Sequence, residues 1–154
     1  MKFPFTTKIL GALLMIFSLA LIFPGFLAYF LDEKEYIQTF LTTGIITLLI
    51  GSFLYLLASG KYWDLRTKDA FIKTIVFWTV LGFFGSLPLY LANLEGVRYI
   101  DALFESISGL TTTGATVFAG LDEMPRSILF YRQLLQWLGG CLLYTSPSPR
   151  DRYI

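Results

Sequence analysis

Three apolar blocks dominate this sequence, and each is long enough to cross a lipid bilayer as a helix. They run over Ile9–Phe30, Tyr36–Ser59 and Ala70–Leu91, and about 20 apolar residues suffice to span the hydrocarbon core. Only 15% of the residues are charged, whereas about a quarter is usual for a soluble domain. The sequence therefore predicts an all-α integral membrane protein whose first 60 residues form two leading transmembrane helices.

The first block also has features of a secretory signal peptide, because it follows Lys2 and Lys8 and contains Ser18-Leu19-Ala20. A signal core is only about 7–15 residues long, however. Here the apolar residues continue to Leu31 without a polar stretch. We therefore expect a retained membrane helix that bends at Pro24-Gly25.

The basic residues predict an orientation, because short cytoplasmic loops are enriched in Lys and Arg. Lys2 and Lys8 precede the first block, and the loop over residues 60–73 follows two crossings later on the same side. The opposite loops offer Lys34 and Arg98. We expect a cytoplasmic N-terminus and a third block that ends outside. The basic residues of the loop are Lys61, Arg66, Lys68 and Lys73.

A short run, Tyr99–Leu110, comes next and is too short to span. Its twelve residues, at 1.5 Å each in a helix, reach about 18 Å, which is little more than half of a hydrocarbon core. The polar stretch Thr111–Thr116 follows it, and an apolar stretch resumes near Ser127. Irregular backbone at membrane depth is tolerated only where it is buried in protein or lines a wet cavity. The sequence thus predicts a re-entrant pore helix over 99–110 and a filter loop over 111–116.

The composition of this loop suits a site for a bare alkali-metal ion. Rings of backbone carbonyls can replace the water shell of potassium, and Gly114 allows the positive φ that such a backbone needs. The threonine hydroxyls could add oxygen ligands or tie the loop to its surroundings. The alternative is a helix cap and ordinary loop in a small membrane scaffold, where Thr43, Thr47 and Gly51 form a packing face.

Catalysis and nucleic-acid binding are not expected. The chain has no His and a single Cys141, and no nucleophile stands beside a base. These residue types also leave no multi-cysteine metal cluster. No basic block points to nucleic acid. We expect no enzyme and no covalently bound cofactor.

Two segments carry a family resemblance. Phe104–Thr116 resembles the first pore loop of Trk-type potassium uptake proteins, membrane subunit, and Phe130–Gly140 is similar to the start of the following helix in that family. The resemblance covers Met1 to about Gly140 and includes the two leading helices. It implies a fold of four helix–pore–helix units around one pore, in which each unit supplies one filter strand with a single glycine.

The resemblance also implies a function and its residues. The backbone carbonyls of Thr112, Thr113, Gly114 and Ala115 would line the ion path with Thr111 at its inner edge, and Thr112 and Thr113 would bind K⁺. Potassium would be the transported ion in uptake across the inner, cytoplasmic membrane. The family works as a homodimer with a cytosolic nucleotide-binding regulatory subunit, and is described as a symporter or a channel.

This sequence departs from the family pattern after its first pore unit, which occupies residues 61–140. One strand supplies a quarter of an oxygen ring, so we expect these residues alone not to conduct. Thr145–Arg152 contains two prolines and several charges, which cannot continue a membrane helix. We expect the helix from Ser127 to stop soon after Gly140, and residues 141–154 to be a non-native or truncated tail.

The charged residues near the loop allow two interpretations. Asp101 and Glu105 could attract cations, or Asp101 could cap the helix and Glu105 could bond to nearby backbone or to Arg132. Carboxylates buried in membranes usually find partners, so we favour the structural roles. Arg126 and Arg132 are likewise expected to hold loops rather than to repel ions.

Overall fold

The computed structural model of the chain describes residues 4–58 and 67–145, with side chains described for 7–58 and 75–141. These ranges are helical and contain no β-strand. The α-helices are α1 (Pro4–Ala20), α2 (Ile22–Phe30), α3 (Lys34–Leu57), α4 (Thr67–Leu91), α5 (Tyr99–Leu110) and α6 (Arg126–Thr145), with one 3₁₀ turn at Leu121–Glu123.

The two leading helices are present. The segment Thr7–Phe30, which combines most of α1 with α2, and helix α3 are each long and apolar enough to cross a membrane by length and composition. Helices α1 and α2 are separated by a single residue, Leu21, whose φ of −67° and ψ of −15° are still helical. Pro24 follows one turn later and has no N–H to donate to the carbonyl of Ala20. The bend expected at Pro24-Gly25 stays a prediction.

Helices α1 and α3 approach closely at two glycines. A Cβ on Gly11 would lie 2.7 Å from the carbonyl oxygen of Gly51, so a side chain there would push the backbones apart. Thr43 and Thr47 are buried on the same face of α3, and the Thr47 hydroxyl donates to the Thr43 carbonyl at 2.7 Å. The predicted packing of this small-residue face against another helix is confirmed.

One aromatic side chain joins the leading helices to the rest. Tyr131 of α6 is fully buried, and its ring meets the ring of Phe40 of α3 edge to face at 5.6 Å between centroids. Its hydroxyl donates to the carbonyl of Gly85 in α4 at 2.7 Å. Buried hydroxyls need such a partner. Helices α3, α4 and α6 therefore share one core.

The predicted loop over residues 60–73 is wrong at its end. Helix α4 begins at Thr67 and runs for 25 residues, so Lys68 and Lys73 belong to a helix. Its described side chains form an apolar helix over Ile75–Leu91. Residues 59–66, with Lys61 and Arg66, lie outside the described residues, as does Lys2.

The predicted end of the last helix is also wrong. Helix α6 runs for 20 residues from Arg126 to Thr145, beyond Gly140. It reaches the residue before Ser146-Pro147, and the residue that precedes a proline is disfavoured in a helix. Of the predicted tail 141–154, residues 146–154 lie outside the described residues.

Candidate functional site

Helix α5 has the predicted bounds, Tyr99–Leu110, and its start is capped by a charged pair. The Asp101 carboxylate accepts the backbone N–H of Arg98 at 3.0 Å and the Arg98 Nε at 3.1 Å. Hydrogen bonds from the Arg98 side chain, and then from its backbone, lower the pKa of Asp101. Asp101 therefore has the helix-capping role that the sequence favoured.

The other end of α5 closes in a Schellman motif. The N–H of Thr112 donates to the carbonyl of Gly109, and the N–H of Thr113 donates to that of Ser108, both at 2.9 Å. Thr112 has a φ of 57° and Gly114 a φ of 72°. A left-handed conformation costs a residue other than glycine about 1–2 kcal/mol. The positive φ at Gly114 was foreseen, but the strained one at Thr112 was not.

The main-chain oxygens of this loop differ in their partners. The Thr111 carbonyl accepts the Thr112 hydroxyl, and the Ala115 carbonyl accepts the Ser108 hydroxyl, each at 2.7 Å. The carbonyls of residues 112–114 accept no hydrogen bond from any residue that the structure describes. The loop is exposed along its whole length. Three consecutive carbonyl oxygens are therefore available to a ligand.

The threonine hydroxyls are engaged by the loop and by α5. The Thr111 hydroxyl donates to the Ile107 carbonyl at 2.7 Å and lies 2.9 Å from the Thr113 hydroxyl. They therefore tie the loop together, which is one of the two roles considered for them. No group of His, Cys, Asp or Glu side chains that could hold a metal ion occurs within the part of the chain described.

A buried ion pair between Glu105 and Arg132 holds the end of the loop at Thr116 and Val117. Glu105 of α5 is 4% exposed and Arg132 of α6 is 9% exposed. Glu105 Oε2 accepts Arg132 Nε at 2.9 Å and lies 2.8 Å from a second guanidinium nitrogen. Glu105 Oε1 accepts the N–H of Val117 at 2.8 Å and the hydroxyl of Thr116. Both structural contacts expected of Glu105, with backbone and with Arg132, are present.

Helix α6 passes directly beside the end of α5. A Cβ on Gly139 would lie 2.6 Å from the carbonyl carbon of Leu110 and closer still to its oxygen. A Cβ on Gly114 would lie 3.7 Å from the side-chain nitrogen of Gln136. At 1.5 Å per residue, Gly139 is about 20 Å along α6 from its start at Arg126. Gln136 is about 15 Å from the same start, so the loop lies beside the stretch of α6 from its middle to about two-thirds of its length.

The start of α5 lies instead near the end of α4. The Tyr99 ring contacts the Tyr90 ring with centroids 5.4 Å apart. After the loop, Phe118 is buried again, and the chain reaches the first turn of α6 at Arg126. The segment between α4 and α6 thus starts near the end of α4, contacts α6 at Gln136 and Gly139, and returns to the first turn of α6.

Sequence reasoning missed Ser108, Gly139 and Glu33. The adjacent glycines at 139 and 140 in an apolar helix were a usable sign of close packing. Ser108 offered no sign, because its partner Ala115 lies across an irregular loop. Arg126 holds a neighbouring segment as expected, but through its backbone N–H, which donates to Glu33 at 2.9 Å.

These features define a class, namely a helical membrane protein with an irregular, oxygen-rich loop between two helices. The family model of TrkH, a cation transport protein, matches residues 36–146. The chain belongs to this family. It is a family of transporters rather than enzymes, so the family resemblance and the expected absence of catalysis are confirmed.

Similar proteins and a solved structure support the same family assignment. The Trk system potassium uptake protein TrkH of Halomonas elongata is 47% identical over 133 residues, or 86% of this chain and 27% of that protein. TrkH of Escherichia coli is 42% identical over 143 residues, or 91% and 29%. The crystal structure of the potassium transporter TrkH from Vibrio parahaemolyticus matches with a TM-score of 0.85 and 38% identity, covering 99% of this chain and 35% of that one. The chain spans about a third of these relatives or less.

Proposed function

We propose that this chain forms the two leading helices and the first pore unit of a potassium uptake protein, and that residues 111–116 form one quarter of its selectivity filter. The observation that carries the proposal is the run of three main-chain oxygens at 112–114 that no described residue occupies. They follow a helix of 12 residues, whereas about 20 are needed to span.

The path of the chain supports a re-entrant hairpin. The loop lies about 20 Å along α6 from the start of that helix, at 1.5 Å per residue. If α6 crosses the membrane, this depth lies inside a hydrocarbon core about 30 Å thick, past its centre. Irregular backbone survives there only when it faces protein or a wet cavity. The carboxyl end of α5, which carries the negative end of the helix dipole, then favours a cation.

The local backbone supports potassium as the ion. A filter of carbonyl oxygens replaces the hydration shell without a fixed charge. Positive φ at Thr112 and Gly114, on either side of Thr113, lets consecutive peptide groups turn to a common side. Thr112, Thr113 and Gly114 supply the central oxygens, and Thr111 and Ala115 the edges. The Glu105–Arg132 pair holds the returning strand with no net charge.

A complete filter needs four such strands, so the 154 residues alone do not conduct. The complete transporter works in the inner, cytoplasmic membrane as a homodimer with a cytosolic nucleotide-binding regulatory subunit, and the N-terminus of this chain is cytoplasmic. The names of the relatives, which describe a Trk system for potassium uptake, support this setting. Lys8 on the α1 side, against few basic residues on the other, supports the orientation.

The competing function is a membrane scaffold without an ion pathway. Its best support was the small-residue face of α3 at Thr43, Thr47 and Gly51, which could have received a partner. That face is covered by α1 of the same chain, as the contact of Gly51 with Gly11 requires. The observations therefore favour ion transport.

The test uses a chimera in which residues 1–145 of this chain replace the matching segment of Vibrio parahaemolyticus TrkH. Gly114→Val places a β-branched residue at a φ of +72° in the filter, and Gly120→Val does the same at +67° in the outer loop. The two variants carry similar backbone strain, so their difference reports the filter. Rubidium and sodium uptake are measured in cells that lack their own potassium uptake systems.

We expect Gly114→Val to abolish the preference for rubidium over sodium at normal membrane abundance, and Gly120→Val to retain it. The 154-residue chain alone should give no uptake above empty cells. Equal selectivity in the two variants would support the scaffold, and selective uptake by the chain alone would contradict the one-quarter filter.

A further inference from the structure

Glu33 stands at the corner between the two leading helices, where its backbone is fixed on both sides. Its N–H donates to the carbonyl of Ala28 in α2 at 2.9 Å, and its carbonyl accepts the N–H of Tyr36 in α3 at 3.1 Å. The preceding Asp32 has a φ of 59°, which turns the chain sharply. The Glu33 side chain is thus mounted on a rigid corner.

This side chain caps a helix more than 90 residues away. Glu33 Oε1 accepts the N–H of Arg126 at 2.9 Å, and Oε2 accepts the N–H of Ser127 at 3.1 Å together with its hydroxyl. The first four N–H groups of a helix have no partner within it. The next two, of Ile128 and Leu129, donate to the Pro125 carbonyl at 3.1 Å.

The negative charge of Glu33 is favourable at the N-terminus of α6. A carboxylate is stabilised at the positive end of a helix dipole, and hydrogen bonds from N–H groups to a charged acceptor are stronger than neutral ones. Ser127 is fully buried, so its hydroxyl and N–H would have no ready replacement in water. Glu33 accordingly fixes both the position and the direction of the first turn of α6.

Helix α6 carries this constraint to the loop. Arg132 lies about 9 Å further along the helix, at 1.5 Å per residue, and its partner Glu105 holds the N–H of Val117. Gly139 of the same helix packs on the backbone of Leu110, where the loop begins. A displaced α6 would therefore move both ends of the loop.

We propose that Glu33 is a positioning residue for the filter: by fixing the first turn of α6, it sets the spacing of the carbonyls of residues 112–114 on which ion selectivity depends. The inference rests on the proposed function of this loop. It gives the leading helices a role beyond crossing the membrane, because their corner braces the pore unit.

The test compares Glu33→Gln with Glu35→Gln in the same chimera. Glutamine keeps the size of Glu33 but removes the charge and turns an NH₂ group toward N–H donors. Glu35 is exposed two residues away and provides the matched control. We expect Glu33→Gln to lower the ratio of rubidium to sodium uptake about fivefold at equal abundance, as mutations along connected networks do, and Glu35→Gln to leave it unchanged.

Two further variants keep the test decisive if Glu33→Gln fails to reach the membrane. Glu33→Asp retains the charge but is one methylene shorter, so it should lose less selectivity than Glu33→Gln without restoring it fully. Ser127→Ala removes one of the donors and should lower selectivity by a smaller factor. Added to Glu33→Gln it should have little further effect, because both changes disrupt one contact.

Unchanged selectivity in Glu33→Gln and Ser127→Ala, or reduced abundance with normal selectivity, would show that Glu33 only holds the helices together and would overturn the inference. If Gly114→Val still abolishes selectivity in that case, the proposed filter stands. If Gly114→Val has no effect either, the proposed function itself fails.

Discussion

Gly139 is the position where α6 and the end of α5 leave no room for a side chain. The Cβ of Gly139→Ala would lie 2.6 Å from the Leu110 carbonyl carbon and 2.8 Å from its Cα. Favourable carbon contacts begin near 3.5 Å, so the two backbones must separate by about 1 Å. Backbone atoms cannot rotate away, so we take the upper end of the usual overpacking cost, about 3 kcal/mol.

The adjacent glycine provides the control. The Cβ of Gly140→Ala would lie 3.8 Å from a Thr112 methyl group, which is an ordinary contact. Both substitutions favour the helix by about 1 kcal/mol, because alanine is the better helix former. The difference between the variants therefore isolates the clash at Gly139 and should be about 3 kcal/mol.

The assay has two parts. Denaturant titration of the 154-residue chain in detergent micelles should give a lower free energy of unfolding for Gly139→Ala than for Gly140→Ala. In the chimera, Gly139→Ala should also lose the preference for rubidium over sodium, since the start of the proposed filter loop moves with Leu110. Equal stability and equal selectivity of the two variants would refute the close approach and its role.

Two other predictions concern the charged groups. Glu105→Gln leaves the Arg132 guanidinium buried without its counter-charge, so it should lower the free energy of unfolding by about 3–5 kcal/mol. Glu95→Gln, at an exposed site, is the control and should change the stability little. A similarly small loss in Glu105→Gln would contradict the buried pair. Because the pKa of Asp101 is lowered by Arg98, the contribution of this cap is complete above the ordinary aspartate pKa of about 4 and is lost as the pH falls through the lowered value. The protection of the amides in the first turn of α5, measured as the exchange rate relative to the intrinsic rate at the same pH, should decrease in that acidic range, and Asp101→Asn should remove this pH dependence.

The sequence predicts the local features of the site well. The bounds of α5 follow from an acidic residue in its first turn and from the threonines and glycine after Leu110, and both signals act within a few residues. The contacts of Glu105 were also foreseeable in kind, because a carboxylate at such a position needs a buried partner. The small-residue face of α3 likewise predicted a close contact with another helix.

Contacts between distant segments were not predictable from one sequence. The hydrogen bond from the start of α6 to Glu33 joins residues more than 90 positions apart, and the hydrophobic pattern of the sequence gives no sign of it. The approach of Gly139 to Leu110 depends on how α5 and α6 pack, although the glycine pair hinted at it. The positive φ of Thr112 opposes its own residue preference and is imposed by the cap of α5.

The role of the loop as an ion site is tested most directly by locating the ion. Crystals of the chimera grown in rubidium would be measured at the rubidium absorption edge, since rubidium substitutes for potassium and scatters anomalously. We expect an anomalous peak within coordination distance of the carbonyl oxygens of Thr112, Thr113 and Gly114. A well-ordered loop with no peak there, or a peak held by side-chain carboxylates elsewhere, would contradict it.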